Sequence, residues 1–410
     1  MLLELPDRRW ELGPVIVAAF LSVGAMAVIG LAIWWPRGEG PQLNPGGTPL
    51  ESVDGTVESV AVEECPGVEA AGALTDCQRV TAVTDDGDTA RFTIFATDFD
   101  KPELDSGDEV VLVRNPLAPP ELRYRFWDFQ RTQPLLLLGG VFVVAVVVLA
   151  RWQGVRALTG IVVSFVVLLG FLSPPLLRGN PALPVALAAT VITAFGALYL
   201  AHGVNLATTA ALAGTLASLA GIAVLGQIFV NLFVDLRTLT GLTGEESKIL
   251  RITAEAVDLR GLLVAGIVIG ALGVLDDVTV TQVSAVVQLR MANPDVSASE
   301  LYRSVLKIGR DHIASTVNTL VLAYAGASLP VLLLYPDAGQ SWARVTTGEL
   351  VAMEIVRPLV GSVGLILTVP LTTALAAVLL SPRAVARSSM AVPRRHAASP
   401  DGRRASSGRR

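Results

Sequence analysis

The sequence predicts an all-α polytopic membrane helix bundle of about eight transmembrane helices with a small β-rich extracytoplasmic domain. Three observations predict it. Of 410 residues, 52% are hydrophobic and 16% charged, where a soluble domain carries about 25% charge. Apolar runs of about 20 residues, the length that crosses a hydrocarbon core, recur along the chain. One acidic stretch between the first two runs instead shows the alternation of β-structure.

The first run, Gly13–Trp34, is 22 residues long. It exceeds a typical signal-peptide core and ends in Trp34-Trp35-Pro36-Arg37 without a small-residue cleavage site, so a retained anchor is expected. The paired tryptophans suit a membrane interface. Further spans are expected at Pro134–Ala150, Val155–Ser173, Leu183–Leu200, Asn205–Leu225, Gly261–Ser284, Ile313–Leu334 and about Ile355–Leu380. Pro358 and Pro370 allow the last to bend. The implied organisation is residues 1–35 as a cytoplasmic stub and first helix, 36–131 as a linker and extracytoplasmic β domain, 132–380 as a seven-helix membrane domain, and 381–410 as a basic, disordered cytoplasmic tail.

Lys and Arg near span ends set orientation. Arg8 and Arg9, Arg151 and Arg156, the group Arg290, Arg303, Lys307 and Arg310, and the arginines of the tail all fall on one side of an eight-span arrangement. Both termini are then cytoplasmic at the cell membrane. Residues 37–131, with 19 acids against 8 bases and a net of −11, lie outside.

In that outside segment, residues 38–50 read as a Pro/Gly linker. Alternating runs from Gly55, Arg79 and Ala90, and Leu104–Val113, separated by turns such as Asp85-Asp86-Gly87, suggest an OB-like or small barrel. The chain's two cysteines, Cys65 and Cys77, are both here. A disulfide is expected on this oxidising side, with two free thiols as the alternative. Tyr124, Phe126, Trp127 and Phe129, with Arg123, Arg125 and Arg131, read as an interface anchor leading into the second span. Capping boxes at Thr243–Glu246 and Ser297–Glu300 predict helix starts there.

Chemistry concentrates at Asp276 and Asp277, inside an apolar run. Carboxylates in hydrocarbon are costly, so such residues face a bundle interior or a wet path and mark function. From Gly261, Asp276 is 15 residues in, roughly 22 Å into a core about 30 Å thick. Consecutive helical residues point about 100° apart. Asp277 shares a face with Thr281, Ser284 and Gln288, and Asp276 sits above Thr279. Asn318 and Thr319 reach a similar depth and are the expected partners of the pair. Thr279, Thr281 and Gln282 are expected to line the site. The alternatives are a span that ends near Leu275, placing the carboxylates among headgroups, and a purely structural interhelical hydrogen bond, Asp to Asn or Thr. Gln227 and Asn231 could line a vestibule or be ordinary interface polarity. His202 and Asn205 suit a tight turn. Arg357, with Glu354 three residues before it, suits snorkelling.

Leu275-Asp-Asp-Val-Thr-Val-Thr-Gln282, Asn293-Pro294, Ile308-Gly-Arg-Asp-His312 and the run from Thr316 to Pro330 resemble the YibE/F family of bacterial membrane proteins. So do Tyr199-Leu-Ala-His-Gly203, Leu239–Glu246 and Asp258-Leu-Arg-Gly261. The resemblance covers most of residues 50–380, and the basic tail is an addition to the family pattern. It implies a polytopic membrane architecture, in a family without a settled activity and often suspected of transport.

The expected activity is therefore secondary transport of a proton or cation, a small ion or solute. The alternative is a non-transporting anchor or assembly protein whose β domain binds a partner. There is no P-loop for an ATP-driven pump. An aspartyl hydrolase needs two converging carboxylates, which adjacent residues do not supply, so no enzyme is expected. His202, His312 and His396 are far apart, so neither a metal site nor a cofactor is expected. The lipid bilayer is the expected partner. The tail suits anionic lipid, and nucleic acid is not expected.

Overall fold

A computed structural model describes residues 24–25, 28–35, 51–64, 76–94, 103–235, 257–334 and 342–380. They fall into two compact units, Asn44–Arg151 and Met1–Leu43 with Trp152–Arg410.

The first unit holds a five-stranded antiparallel sheet of β1 (Glu51–Glu64), β2 (Asp76–Thr84), β3 (Thr89–Ile94), β4 (Glu109–Arg114) and β5 (Tyr124–Phe129), in the order β3-β2-β1-β4-β5. The long β1 serves two partners. Its first part pairs with β4, and its remainder with β2 across a bulge between Val57 and Ser59. Gly55 permits this crossing, because a Cβ there would lie 2.8 Å from the Val83 carbonyl oxygen. The sheet curls into a half-barrel, in line with the barrel expectation. Val57, Val80, Phe92, Ile94, Val110, Leu112 and Tyr124 fill its core. The Asp85-Asp86-Gly87 turn forms as expected, with Gly87 at φ 86° and its N–H on Thr84 O at 2.8 Å.

The aromatic run before the second span is where the structure corrects the sequence reading. It is strand β5, not a separate interface anchor. Tyr124 is buried, and Phe126 and Phe129 pack against the core and edge-to-face on each other at 5.5 Å. Trp127 alone of the four is largely exposed, at 72%. Cys77 is buried at the start of β2. Cys65 lies outside the described residues, as do the Thr243–Glu246 capping box and the tail.

Helix α1 (Thr132–Val166) covers the expected second and third spans. It is interrupted at Arg151, where φ is 53° and ψ −130°, within the short turn expected between those spans. A π-helical turn, Val167–Leu172, follows. Ser173 N–H reaches back five residues to Leu168 O, and Pro174 and Pro175 offer no N–H to restore the ordinary ladder. After α2 (Ser173–Leu177) come α3 (Ala182–His202), α4 (Leu206–Asp235), α5 (Leu259–Ala292), α6 (Ala298–Ala327), α7 (Leu329–Leu334), α8 (Trp342–Thr347) and α9 (Glu349–Leu379).

The core of this second unit lies among α3, α4, α5 and α9. Leu212, Leu219, Ile222, Val264, Ile267, Leu275, Met353 and Val360 belong to it. Residues 28–34 form a helical segment against α3, where Gly30 meets Ala188. Among the described residues, five helices are long and apolar enough to cross a membrane: Thr132–Leu177, Ala182–His202, Leu206–Leu232, Leu259–Ala292 and Glu349–Leu379. The count differs from eight for three reasons. The first span lies mostly outside the described residues. Two of the expected spans fall within one continuous candidate, Thr132–Leu177. And α6 carries Ser315, Thr316, Asn318 and Thr319 in its apolar stretch.

Candidate functional site

The site is built on α5. Asp258 caps the helix by accepting from Arg260 N–H at 3.2 Å. Gly261 leaves room for that carboxylate to fold back, since a Cβ there would overlap it. The helix then runs without a break through Asp276 and Asp277. Being consecutive, the two carboxylates diverge. Asp276 is half-buried, with the Thr215 hydroxyl of α4 against it. Its Oδ1 is buried and makes no hydrogen bond. Asp277 is 75% exposed, and its Oδ2 stands 3.9 Å from His312 Nε2 of α6.

Below Asp276 runs a seam of fully buried polar side chains at the α4, α5 and α9 junction. Thr215 and Thr279 hydroxyls are 2.9 Å apart across α4 and α5. Thr279 also donates to Asp276 O at 3.1 Å. One turn on, Thr373 of α9 donates to Gln282 Oε1 at 3.0 Å. Thr368 bonds Gly364 O of its own helix at 2.8 Å. Gln282 Nε2 and Thr372 Oγ1 are buried without a hydrogen-bond partner.

Small residues make the seam tight. Thr372 sits against Gly214, and Gly309 lets α6 close onto Val369 and the Gln282 amide. At the end of α5, Asn293 caps the helix, and Ser297 accepts from Glu300 N–H at 3.2 Å to open α6. The helix start expected at Ser297 is therefore present, with the serine half of the capping box formed, and residues 293–297 separate the two helices. Arg290, which the sequence assigns to orientation, is 5% exposed. Its guanidinium donates to Val296 O and Ala377 O, tying the turn to α9. At the other end of α9, Glu354 accepts from Arg357 and from Ser328, each at 2.6 Å. Arg357 is thus ion-paired rather than snorkelling alone. Gln227 donates to Asn231 at 2.7 Å on α4, and Asn205 bonds His202 O and Thr208 N–H as the expected turn cap.

Of the residues singled out from sequence, Asp276, Thr279 and Gln282 come together on one face of α5. Thr281 is half-buried off that seam. Asn318 and Thr319 are exposed on α6, where the Thr319 hydroxyl bonds Ser315 O at 3.0 Å. The place expected for Asn318 beside Asp276 is taken by Thr215, and His312 stands by Asp277. Thr215, Thr372, Thr373 and His312 are absent from the sequence-derived set. Their signal is modest: a hydroxyl pair at Thr372-Thr373 inside an apolar span, and a histidine just before one. Among the described residues, no group of three or more His, Cys, Asp or Glu side chains is placed to hold a metal ion.

The family model described as YibE/F-like protein matches residues 138–382, and this stretch contains the whole seam. Neither the curated proteins nor the solved structures give a match.

Proposed function

The chain belongs to the YibE/F-like family of multi-pass membrane proteins, and from that premise we propose that it is a permease, not an enzyme. It moves a proton or small cation, with Asp276 as the coupling carboxylate. One observation carries this reading. Asp276 is held between packed helices with one carboxylate oxygen buried and uncommitted, and an intramembrane carboxylate so placed is the usual mark of an ion path. Thr215, Thr279 and Gln282 form the packed wall behind it, and Asp277 stands at its exposed side.

The membrane arrangement proposed has eight spans. The interrupted α1 supplies two, α6 with α7 one and residues 13–34 one, beside α3, α4, α5 and α9. Both termini are cytoplasmic at the cell membrane and residues 36–131 are extracytoplasmic. The basic groups at Arg151 and Arg156, and at Arg303, Lys307 and Arg310, support this.

Proteoliposomes with entrapped pyranine test the activity. An imposed potential drives proton entry in the natural protein, and Asp276→Asn abolishes it while the variant still elutes as a folded monodisperse protein. Proton entry unchanged in Asp276→Asn refutes the assignment. A second reading is favoured by one feature of the β unit. Trp127, Leu117 and Leu122 are each exposed, at 72%, 74% and 67%, large apolar side chains available to a partner. In that reading, replacing all three by serine abolishes cellular activity and Asp276→Asn is silent.

A further inference from the structure

Among the described residues, the middle of the α4, α5, α6 and α9 bundle holds few titratable side chains. α4 has none before Asp235, and α9 none between Arg357 and Leu379. Between Arg260 and Arg290, α5 has only Asp276 and Asp277. On α6, Arg310 and Asp311 are exposed neighbours of His312, and Tyr324 follows three turns later. The groups that face one another are His312 and Asp277, with Asp276 adjoining in sequence on the next face.

His312 is placed to hand protons over. Its Nε2 lies within ion-pair range of Asp277 Oδ2, at 3.9 Å, but beyond hydrogen-bond length. That nitrogen is buried and bonded to no other acceptor. The rest of the ring is partly open, at 31% side-chain exposure, and Asp277 is more so. On the far side, Asp276 Oδ1 is buried and equally uncommitted. A partly open histidine thus stands beside an exposed carboxylate, and the residue before that carboxylate holds a buried, unbonded carboxylate oxygen.

Building on the reading of Asp276 as the coupling carboxylate, we propose that His312 and Asp277 are the proton-transfer couple that loads and unloads it. The imidazolium gives its Nε2 proton to an Asp277 oxygen and becomes neutral. Asp277 releases the proton to water at the α5 surface, which carries it round to Asp276 Oδ1 on the next face, and Asp277 recovers its negative charge. The ring is then reprotonated from solvent through its open edge. One proton moves, net charge is conserved and no redox partner is involved. Histidine suits the task because its ordinary titration falls near neutral pH.

The pyranine assay on full-length protein tests this with His312→Ala and His312→Gln. General acid–base groups contribute on the order of 100-fold or more to rate, so His312→Ala slows proton entry by at least about tenfold. Added imidazole, which fits the space left, restores it. His312→Gln is equally slow and is not restored, because glutamine fills that space. A rate equal to the natural protein's in His312→Ala overturns the proposal, as does a loss that imidazole leaves untouched in folded protein. If His312→Ala does not fold, the glutamine variant decides: slow entry supports the couple and full-speed entry overturns it. Entry that needs Asp276 but ignores His312 removes only this proposal. Entry indifferent to Asp276 removes the coupling assignment and the couple with it.

Discussion

Replacing Gln282 by Met should make the protein more stable. Gln282 is fully buried, and its Oε1 accepts one bond from Thr373 at 3.0 Å. That hydroxyl also lies 2.6 Å from Val369 O, so it keeps an acceptor when the glutamine is gone. Interhelical hydrogen bonds in membrane proteins average about 0.6 kcal/mol, and the loss is of that order. Against it stands the Nε2 group, buried with no partner. Leaving such a donor unsatisfied costs roughly 1–3 kcal/mol. Methionine has nearly the same length and no donor, so the balance favours the variant by about 1 kcal/mol, taking the two magnitudes together. Unfolding of the purified full chain in bicelles, titrated with SDS, measures the difference. A destabilisation of about 1 kcal/mol or more would refute the reasoning, since it would mean that the amide is satisfied by water and the seam is wet.

Other perturbations have definite outcomes. Gly309→Ala drives a Cβ into Val369 and the Gln282 amide; the same unfolding assay should show a loss of about 1–3 kcal/mol, the range for overpacking. In the β unit, the Arg131 side chain and then the Phe129 N–H hold the Asp128 carboxyl below its ordinary range. Its contribution is therefore present above the ordinary carboxylate range and fades as pH falls through the lowered value, and Arg131→Gln should move the titration upward in carboxyl 13C spectra. Cys65 and Cys77 should resist iodoacetamide until reduced, with both modified together afterwards, as a bridge on the oxidising side requires.

How much of this was legible in the sequence depends on the direction in which a residue must be located. Spacing along a helix follows from counting at 1.5 Å per residue, and the placing of Thr279 next to Asp276 was readable that way. Azimuth was not. Asn318 is exposed and His312 stands beside Asp277 in its place, because which face and which turn of α6 meet α5 are decided by packing such as Gly309 against Val369 and the Gln282 amide. Local signals fared well where one short-range bond decides the structure, as at Ser297, Asn205 and the turn at Gly87. The stretch Tyr124–Phe129 was misread because aromatic and basic residues before an apolar run suit both an interface and a strand. The alternation of Tyr124 and Phe126 with Arg125 and Trp127 was the discriminating feature. Arg290 shows the limit: a lone arginine at a helix end reads as a topology marker, and only the fold reveals the two carbonyls it joins.

The divergence of Asp276 and Asp277 decides where exchange with solvent should occur. A route through the α4, α5 and α9 seam must break the Thr215–Thr279 and Thr373–Gln282 bonds and part helices closed on glycine. A route along α6 breaks none of these, because Asp277, Ser315, Asn318 and Thr319 are already exposed there. Polar side chains at such positions are sustained by water or a polar neighbour, not by hydrocarbon. Single cysteines should therefore react unequally with a membrane-impermeant methanethiosulfonate reagent in intact vesicles. Ser315→Cys and Asn318→Cys should label readily, whereas Thr215→Cys and Thr279→Cys should label at least about 100-fold more slowly, since exposing them requires a local opening of roughly 3 kcal/mol or more. Equal labelling of Thr279→Cys and Asn318→Cys would put the aqueous route inside the seam and reverse the assignment of the two faces of α5.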